Sequence, residues 1–192
     1  MNPRLISTVG IFAGLSTLLA YLDFNLPFFP PFMKLDFADF PSLIIAFAFG
    51  PGAGMLVQLI RNCVHLFSTT TGGIGELANM LIGCAMTGTA GYIYQQHHNK
   101  KGAAWGLLLG GLVMCLVALP VNYFILLPLF SSFLPLETII NLASKFVPGI
   151  QDKYTFILYA TLPFNLLKAS LTTFLTWLVY KRLHPLLPRK NP

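Results

Sequence analysis

The chain has 192 residues, of which 55% are hydrophobic and only 9% charged, and its mean hydropathy is +0.70. Soluble domains carry about 25% charged residues, so this composition excludes a soluble globular protein and indicates one integral membrane unit without a separate polar domain. The formal net charge of +6 comes from short basic runs beside apolar segments, the placement expected of membrane-flanking loops.

The first apolar segment, Leu5 to Leu22, is 18 residues without a charge. It is longer than the apolar core of a signal peptide and no small-residue cleavage site follows, so it is predicted to be a membrane span. The loop Asp23–Asp39 contains Phe24, Leu26, Phe28, Phe29, Phe32, Met33, Leu35 and Phe37, too apolar a set for a solvated loop. Pro27, Pro30 and Pro31 oppose a helix there, and the segment is predicted to fold back over the outer end of a bundle. Next comes Phe40–Ile60, interrupted by Gly50-Pro51-Gly52-Ala53-Gly54. One kinked helix there gives five spans in all; a tight turn between two short helices gives six. Leu77–Gln96, Gly102–Leu136 and Thr155–Tyr180 complete the apolar runs, and Leu136–Phe146 is predicted to be a short interfacial helix.

Charge placement selects the six-span arrangement. It puts Arg4, Lys100, Lys101, Lys181, Arg182, Arg189 and Lys190 on one side and Asp23, Asp36, Asp39, Glu76, Glu137 and Asp152 at or near the other. The expected fold is therefore an all-α membrane protein, a single domain over 1–192 with six transmembrane helices at approximately 5–22, 40–49, 52–67, 76–96, 103–130 and 155–182. Both termini are cytoplasmic and the hydrophobic first loop caps the outer end. The second helix reaches only about half of a roughly 30 Å hydrocarbon core. Such short helices are tolerated where protein or a cavity surrounds them, and in transporters they often mark binding sites.

The polar residues exclude several chemistries. Cys63, Cys84 and Cys115 lie in apolar runs without metal-ligand spacing and read as small core residues. His97, His98 and His184 fall in basic segments expected to be solvated, too sparse for a metal site. Gly72-Gly73-Ile74-Gly75 looks superficially like a phosphate cradle, yet it follows a membrane helix rather than a strand and reads as a turn. No nucleotide-binding motif occurs, so the chain is not expected to hydrolyse ATP, to act as an enzyme or to hold a catalytic cofactor or metal.

Lys168 is the only charge in the 26 residues from Thr155 to Tyr180. A lone ammonium at a helix centre costs roughly 2.5–3.5 kcal/mol on insertion scales, so a partner within the protein or a ligand must compensate it. Asn165 shares its helix face, Asn122-Tyr123 interrupts the fifth span, and Thr69 to Asn79 opens the fourth helix with polar groups. These amides and the ammonium suit a planar heterocycle with carbonyl and ring N–H groups along one edge, its faces enclosed by aromatic side chains. The alternative is internal: the asparagines bond across helices, and Lys168 pairs with a carboxylate such as Glu76 or Asp36. Arg61 either snorkels outward or pairs with an acidic group of the first loop.

Five stretches carry a resemblance that covers nearly the whole chain: Phe32 to Pro41, Phe49 to Gly54, Gly75 to Asn79, Asn122-Tyr123-Phe124-Ile125-Leu126-Leu127-Pro128 and Pro163-Phe164-Asn165-Leu166-Leu167-Lys168. They resemble the riboflavin-binding S components of energy-coupling factor (ECF) vitamin transporters. The first two stretches are shared loosely among vitamin S components, and the last two together point to the riboflavin branch. The resemblance implies six helices, an outer pocket and a first loop acting as a lid. It implies that Asn122, Asn165 and Lys168 hydrogen-bond the isoalloxazine ring, with Tyr123 beside them. Leu35, Asp36, Phe37 and Asp39 of the loop, and Thr71, Gly75, Glu76 and Asn79, would surround ring and ribityl chain. The partners implied are a transmembrane T component and two cytoplasmic ATPases, docked through Gly10, Ala13, Gly14 and Thr17, where Gly10 and Gly14 have the spacing of close helix contacts. Riboflavin, with FMN as the alternative, would be transported ligand rather than cofactor. The setting implied is the lipid bilayer of a bacterial cell membrane, with no nucleic acid among the partners. Two rival readings are an S component for another vitamin and a stand-alone secondary transporter using Lys168 with a carboxylate as a proton-coupled pair.

Overall fold

The computed structural model describes residues 3–69 and 71–183. Thr70, His184, Arg189 and Lys190 lie outside the described residues. Helix α1, Pro3–Tyr21, leads into the apolar loop, which is not wholly irregular. Strand β1, Phe24–Asn25, pairs antiparallel with β2, Lys34–Leu35, setting Phe24 opposite Leu35 and Asn25 opposite Lys34. This small ribbon departs from the all-α expectation. Prolines deny the loop a helix, and a strand pairing satisfies some of its backbone groups instead. A salt bridge of 3.0 Å from Lys34 Nζ to Asp23 Oδ2 closes the ribbon's base.

Helices α2, Asp39–Phe49, and α3, Pro51–His65, are separate. Gly50 between them has φ +98°, and a Cβ there would collide with the Gln95 amide, so only glycine fits. Pro51 then starts α3, where its missing N–H is harmless. Helix α2 buries Asp39 and every residue from Pro41 to Phe47, and it touches α1, α3, α4 and the helix α9, Leu162–Leu183. Protein encloses this short helix, which is why so apolar a segment need not be long.

A 3-10 turn at Leu66–Ser68 and two positive-φ glycines, Gly72 and Gly73, bring the chain into α4, Ile74–Gln96. Helix α5, Lys100–Pro120, a π-helical turn at Val121–Leu126 and α6, Leu127–Ser131, form one continuous helix. After α7, Leu136–Ser144, the same happens again: α8, Lys153–Phe156, a π turn at Ile157–Thr161 and α9 run on without a break. Pro120 and Pro128 bracket the first π turn and Pro163 follows the second. A proline removes the N–H owed to the carbonyl four residues earlier and crowds it, so the helix widens locally. Among the described residues, three continuous helices, Pro3–Tyr21, Lys100–Ser131 and Lys153–Arg182, are long and apolar enough to cross a membrane.

Small residues set the helix spacing. A Cβ on Gly106 would lie 2.8 Å from the Ala90 carbonyl oxygen, and one on Gly110 2.8 Å from that of Met86, so α4 and α5 touch almost backbone to backbone. Toward the basic end, Phe47, Tyr94, Tyr180 and Trp177 pack ring against ring. The centroid separations are 4.6 Å for Phe47–Tyr94, 5.7 Å for Tyr94–Tyr180 and 5.8 Å for Trp177–Tyr180. On α1, Gly10 and Gly14 open outward, with nothing within 4 Å of an added Cβ. Ala13 and Thr17 are buried in the bundle, Ala13 against Val9, Ile45 and Val57. The four residues expected to share one docking surface thus divide between two faces of α1.

Candidate functional site

A cavity of about 280 Å³ lies beneath the ribbon, between α3, α4, both π-containing helices and the loop itself. Small-molecule pockets span roughly 300–1,000 Å³, and this cavity stands at the lower edge of that range. One part of its wall is aromatic. Phe32 of the loop packs against Phe156 (6.2 Å, stacked) and Phe130 (6.4 Å), and Phe29 meets Phe164 edge-on at 5.4 Å. Phe32, Phe130, Phe156 and Phe164 all line the cavity. The loop is therefore a wall of the cavity, anchored by its own apolar side chains.

The rest of the wall is amide-rich. Asn62, Asn122 and Asn165 reach the cavity from α3, the first π turn and α9. Each donates one side-chain N–H to the carbonyl four residues earlier, Gln58, Ala118 and Thr161, at 2.8 Å. This back-bond fixes the carboxamide and leaves its oxygen and second N–H available for recognition. Asn79 of α4 adds a fourth amide to the wall.

Glu76 occupies the first turn of α4. Its Oε1 lies 3.0 Å from His65 Nδ1, and its Oε2 accepts from the Thr69 and Thr71 hydroxyls at 2.8 and 2.9 Å. His65 in turn rests against Tyr21, ring centroids 5.2 Å apart.

A buried ionic cluster of two carboxylates and two cations reaches the wall through Asp36 and Arg61 and extends behind it through Asp39 and Lys168. Lys168 Nζ lies 3.1 Å from Asp36 Oδ2 and 3.4 Å from Asp39 Oδ2, and Arg61 Nη1 lies 3.2 Å from Asp39 Oδ1 and 3.8 Å from Asp36 Oδ1. Gln58 Nε2 donates to Asp39 Oδ1 at 2.9 Å. Lys168, Arg61 and Asp39 are each only 2% exposed. The charges of the cluster are tolerable at that depth because they sum to zero and pair at 3.1–3.8 Å, with Lys168 donating a hydrogen bond to Asp36. Asp36 belongs to the loop, so the cluster ties the ribbon to α2, α3 and α9.

Residues 4–180 match the family described as ECF transporter, substrate-specific component. The chain belongs to this family. The match agrees with the fold: a solved S component of a bacterial ECF transporter superposes with a TM-score of 0.77 at 31% identity, covering 98% of this chain and 100% of that one. The riboflavin transporter RibU of Staphylococcus aureus (strain TCH60) is 34% identical over 98% of this chain and 94% of its own length. The riboflavin transporter FmnP of Bacillus subtilis (strain 168) is 27% identical over 96% and 94%.

In this S component, seven of the residues singled out from sequence stand on the cavity wall: Asp36, Thr71, Gly75, Glu76, Asn79, Asn122 and Asn165. Five stand elsewhere. Leu35 is buried in β2, Phe37 packs against Phe24, Asp39 lies inside the ionic cluster, and Tyr123 turns toward Tyr154 with ring centroids 5.3 Å apart. Lys168 is the fifth: its ammonium meets Asp36 and Asp39, one layer behind the wall. Of the internal alternatives for that charge, Asp36 is the partner and Glu76 is not; Arg61 pairs inward rather than snorkelling. Asn62, His65, Phe130 and Phe156, which also line the cavity, were not singled out. Gln58, Arg61, Asn62 and His65 recur at i, i+3, i+4 and i+7, a polar stripe within an apolar helix that marks an inward face.

Proposed function

We propose that this protein is the riboflavin-binding S component of an ECF importer in a bacterial cell membrane. It would take up the vitamin with high affinity from outside and deliver it inward with a T component and two ATPases. The observation that carries the reading is the cavity wall, on which back-bonded asparagines from three helices face a phenylalanine surface. A flavin needs that combination: directional donors and acceptors for the polar edge of its ring, and flat apolar contacts for its faces. The curated relatives named as riboflavin transporters support the same ligand.

In this reading α1, α2, α3, α4 and the two long composite helices make six crossings. Both termini then lie on the cytoplasmic side with the basic residues, and the cavity opens outward. Ligand enters, the ribbon settles over it through Phe29 and Phe32, and water is displaced from the ring. Lys168 acts through Asp36 and Asp39, holding the loop in register with α2 and α9. The aromatic packing of Phe47, Tyr94 and Tyr180 fills the basic end, so ligand leaves by the mouth it entered once the bundle reorients on the T component. Gly10 and Gly14 supply the open face of α1 for that contact.

Titration of riboflavin with the purified protein, followed by quenching of flavin fluorescence, tests the reading. Asn122→Ala and Asn165→Ala are each expected to weaken binding by roughly 5- to 100-fold, the loss of one hydrogen bond worth about 1–3 kcal/mol. A folded protein that neither carries visible flavin colour nor quenches added riboflavin would sink it. The buried Lys168–Asp36–Asp39 contacts suggest a second reading, a proton-coupled carrier. Riboflavin uptake driven by a pH gradient in vesicles holding this chain alone would favour that one.

A further inference from the structure

Arg61 belongs to the polar stripe of α3 and lines the cavity beside Asn62 and His65. Its guanidinium is buried, with one arm engaged and the other not. Nη1 approaches Asp39 Oδ1 at 3.2 Å and Asp36 Oδ1 at 3.8 Å. Nη2 has no hydrogen-bond partner among the described residues. A buried donor left unpaired is costly, and one carried by a residue of a cavity wall calls for an acceptor from outside the protein.

The ionic cluster does not supply that acceptor. Asp36 Oδ1 accepts from the Ala38 N–H at 2.9 Å, and Asp36 Oδ2 from Lys168 at 3.1 Å. Asp39 Oδ1 takes the Gln58 amide at 2.9 Å besides Arg61 Nη1, while its Oδ2 faces Lys168 at 3.4 Å. The carboxylates therefore hold Arg61 through a single nitrogen, not in the two-pronged pairing that guanidinium and carboxylate often adopt. A lysine could answer the same charge through one nitrogen. What arginine adds is a second arm, rigidly placed by the planar fork. The cluster already balances its charge, so this arm offers a directional N–H. A carbonyl oxygen, with two lone pairs and no proton of its own, is the matching acceptor.

We infer that Arg61 Nη2 donates to a ring carbonyl on the polar edge of the bound flavin. The inference rests on the flavin reading of the site. Asn62, the next residue, has its carboxamide fixed by a 2.8 Å bond to the Gln58 carbonyl, so guanidinium and amide are presented together from one turn of α3. Arg61 is then a recognition residue as well as a member of the cluster, joining the ligand to Asp36 of the loop and Asp39 of α2 through one side chain.

The test uses the full-length protein labelled with nitrogen-15 arginine, reconstituted in lipid bilayers with riboflavin labelled with carbon-13 at its two ring carbonyls. Solid-state NMR measures the dipolar contact between the labels. A hydrogen bond of this kind holds the nitrogen about 3.5–4 Å from the carbonyl carbon, and that contact is expected. Arg4, Arg182 and Arg189 lie near the ends of the chain, so the assignment to Arg61 does not depend on a variant. Riboflavin bound without contact at either carbonyl overturns the inference. Arg61→Lys keeps the charge that the carboxylates require and removes the second arm. It is expected to weaken riboflavin binding roughly 10- to 100-fold, while the unfolding temperature of the ligand-free protein changes little. Unaltered affinity in that folded variant overturns the inference as well. Failure of the unaltered protein to bind riboflavin is a different outcome: it overturns the flavin reading, and the inference with it.

Discussion

Around the cavity the backbone repeatedly leaves regular helix: a strand ribbon, a 3-10 turn, two positive-φ glycines and two π turns all fall there. Toward the basic end, α4, α5 and α9 run regularly and meet through glycines and rings. The first region hides its polarity by pairing it internally, through the ionic cluster, the back-bonded asparagines and the Glu76 network. The second has little polarity to hide and is held by close packing. Irregular backbone survives at membrane depth only where protein or a cavity supplies its partners. The comparison therefore separates what stabilises this protein from what lets it recognise a ligand.

The sharpest way to break the contrast is to remove a charge from the first region. Lys168→Met leaves Asp36 and Asp39 with a single cation, and a loss of about 3–5 kcal/mol is expected, seen as a large fall in thermal unfolding temperature in detergent. Adding Asp36→Asn to that variant should recover part of the loss; no recovery would mean that the two residues are not coupled. In the packed region, Gly106→Val drives a side chain into the Ala90 carbonyl. An overpacking cost of about 1–3 kcal/mol is expected, with riboflavin affinity in the surviving folded fraction nearly unchanged. A matching loss of affinity would show that the regions are not separable.

Asn62→Ala sharpens the comparison from the other direction. It should weaken riboflavin binding about tenfold, in line with a net hydrogen bond of roughly 1–1.5 kcal/mol, while thermal stability changes little. Smallest is the effect at Asp152, which caps α8: the Thr155 backbone N–H and then its hydroxyl donate to the carboxylate at 2.8 and 2.7 Å and hold it below the usual carboxylate range. A depressed value means that the cap's contribution is present above the ordinary value of about 3.9 and is lost as pH falls through the depressed one. Carbon-13 NMR of the Asp152 carboxyl checks this, and titration at or above the ordinary value would refute it.

What could be read from sequence follows the same division. The break at Gly50-Pro51 was legible because glycine and proline constrain the backbone locally. The apolar loop announced its packing through its phenylalanines. Asn122 and Asn165 stood out because each interrupts an apolar run. The ionic cluster was legible only as a question: Lys168 had to be compensated, yet which carboxylate lies 132 residues away in sequence and 3.1 Å away in space is a property of the assembled bundle. Asn62 was hidden beside Arg61, whose charge dominates that stretch of α3. The π turns were invisible as such, since proline announces a disturbed helix without saying whether it bends, ends or widens.

The π turn at Val121–Leu126 has a consequence for how this helix can evolve. Before it, Gly106 and Gly110 must face α4; within it Asn122 and Leu126, and after it Phe130, must face the cavity. A residue added to an α-helix rotates everything beyond it by about 100°. The wide turn therefore acts as a phase shifter, bringing two faces of one rod into alignment with different neighbours. Losing a single residue there would leave composition and hydropathy almost untouched and swing the recognition end of the helix out toward lipid.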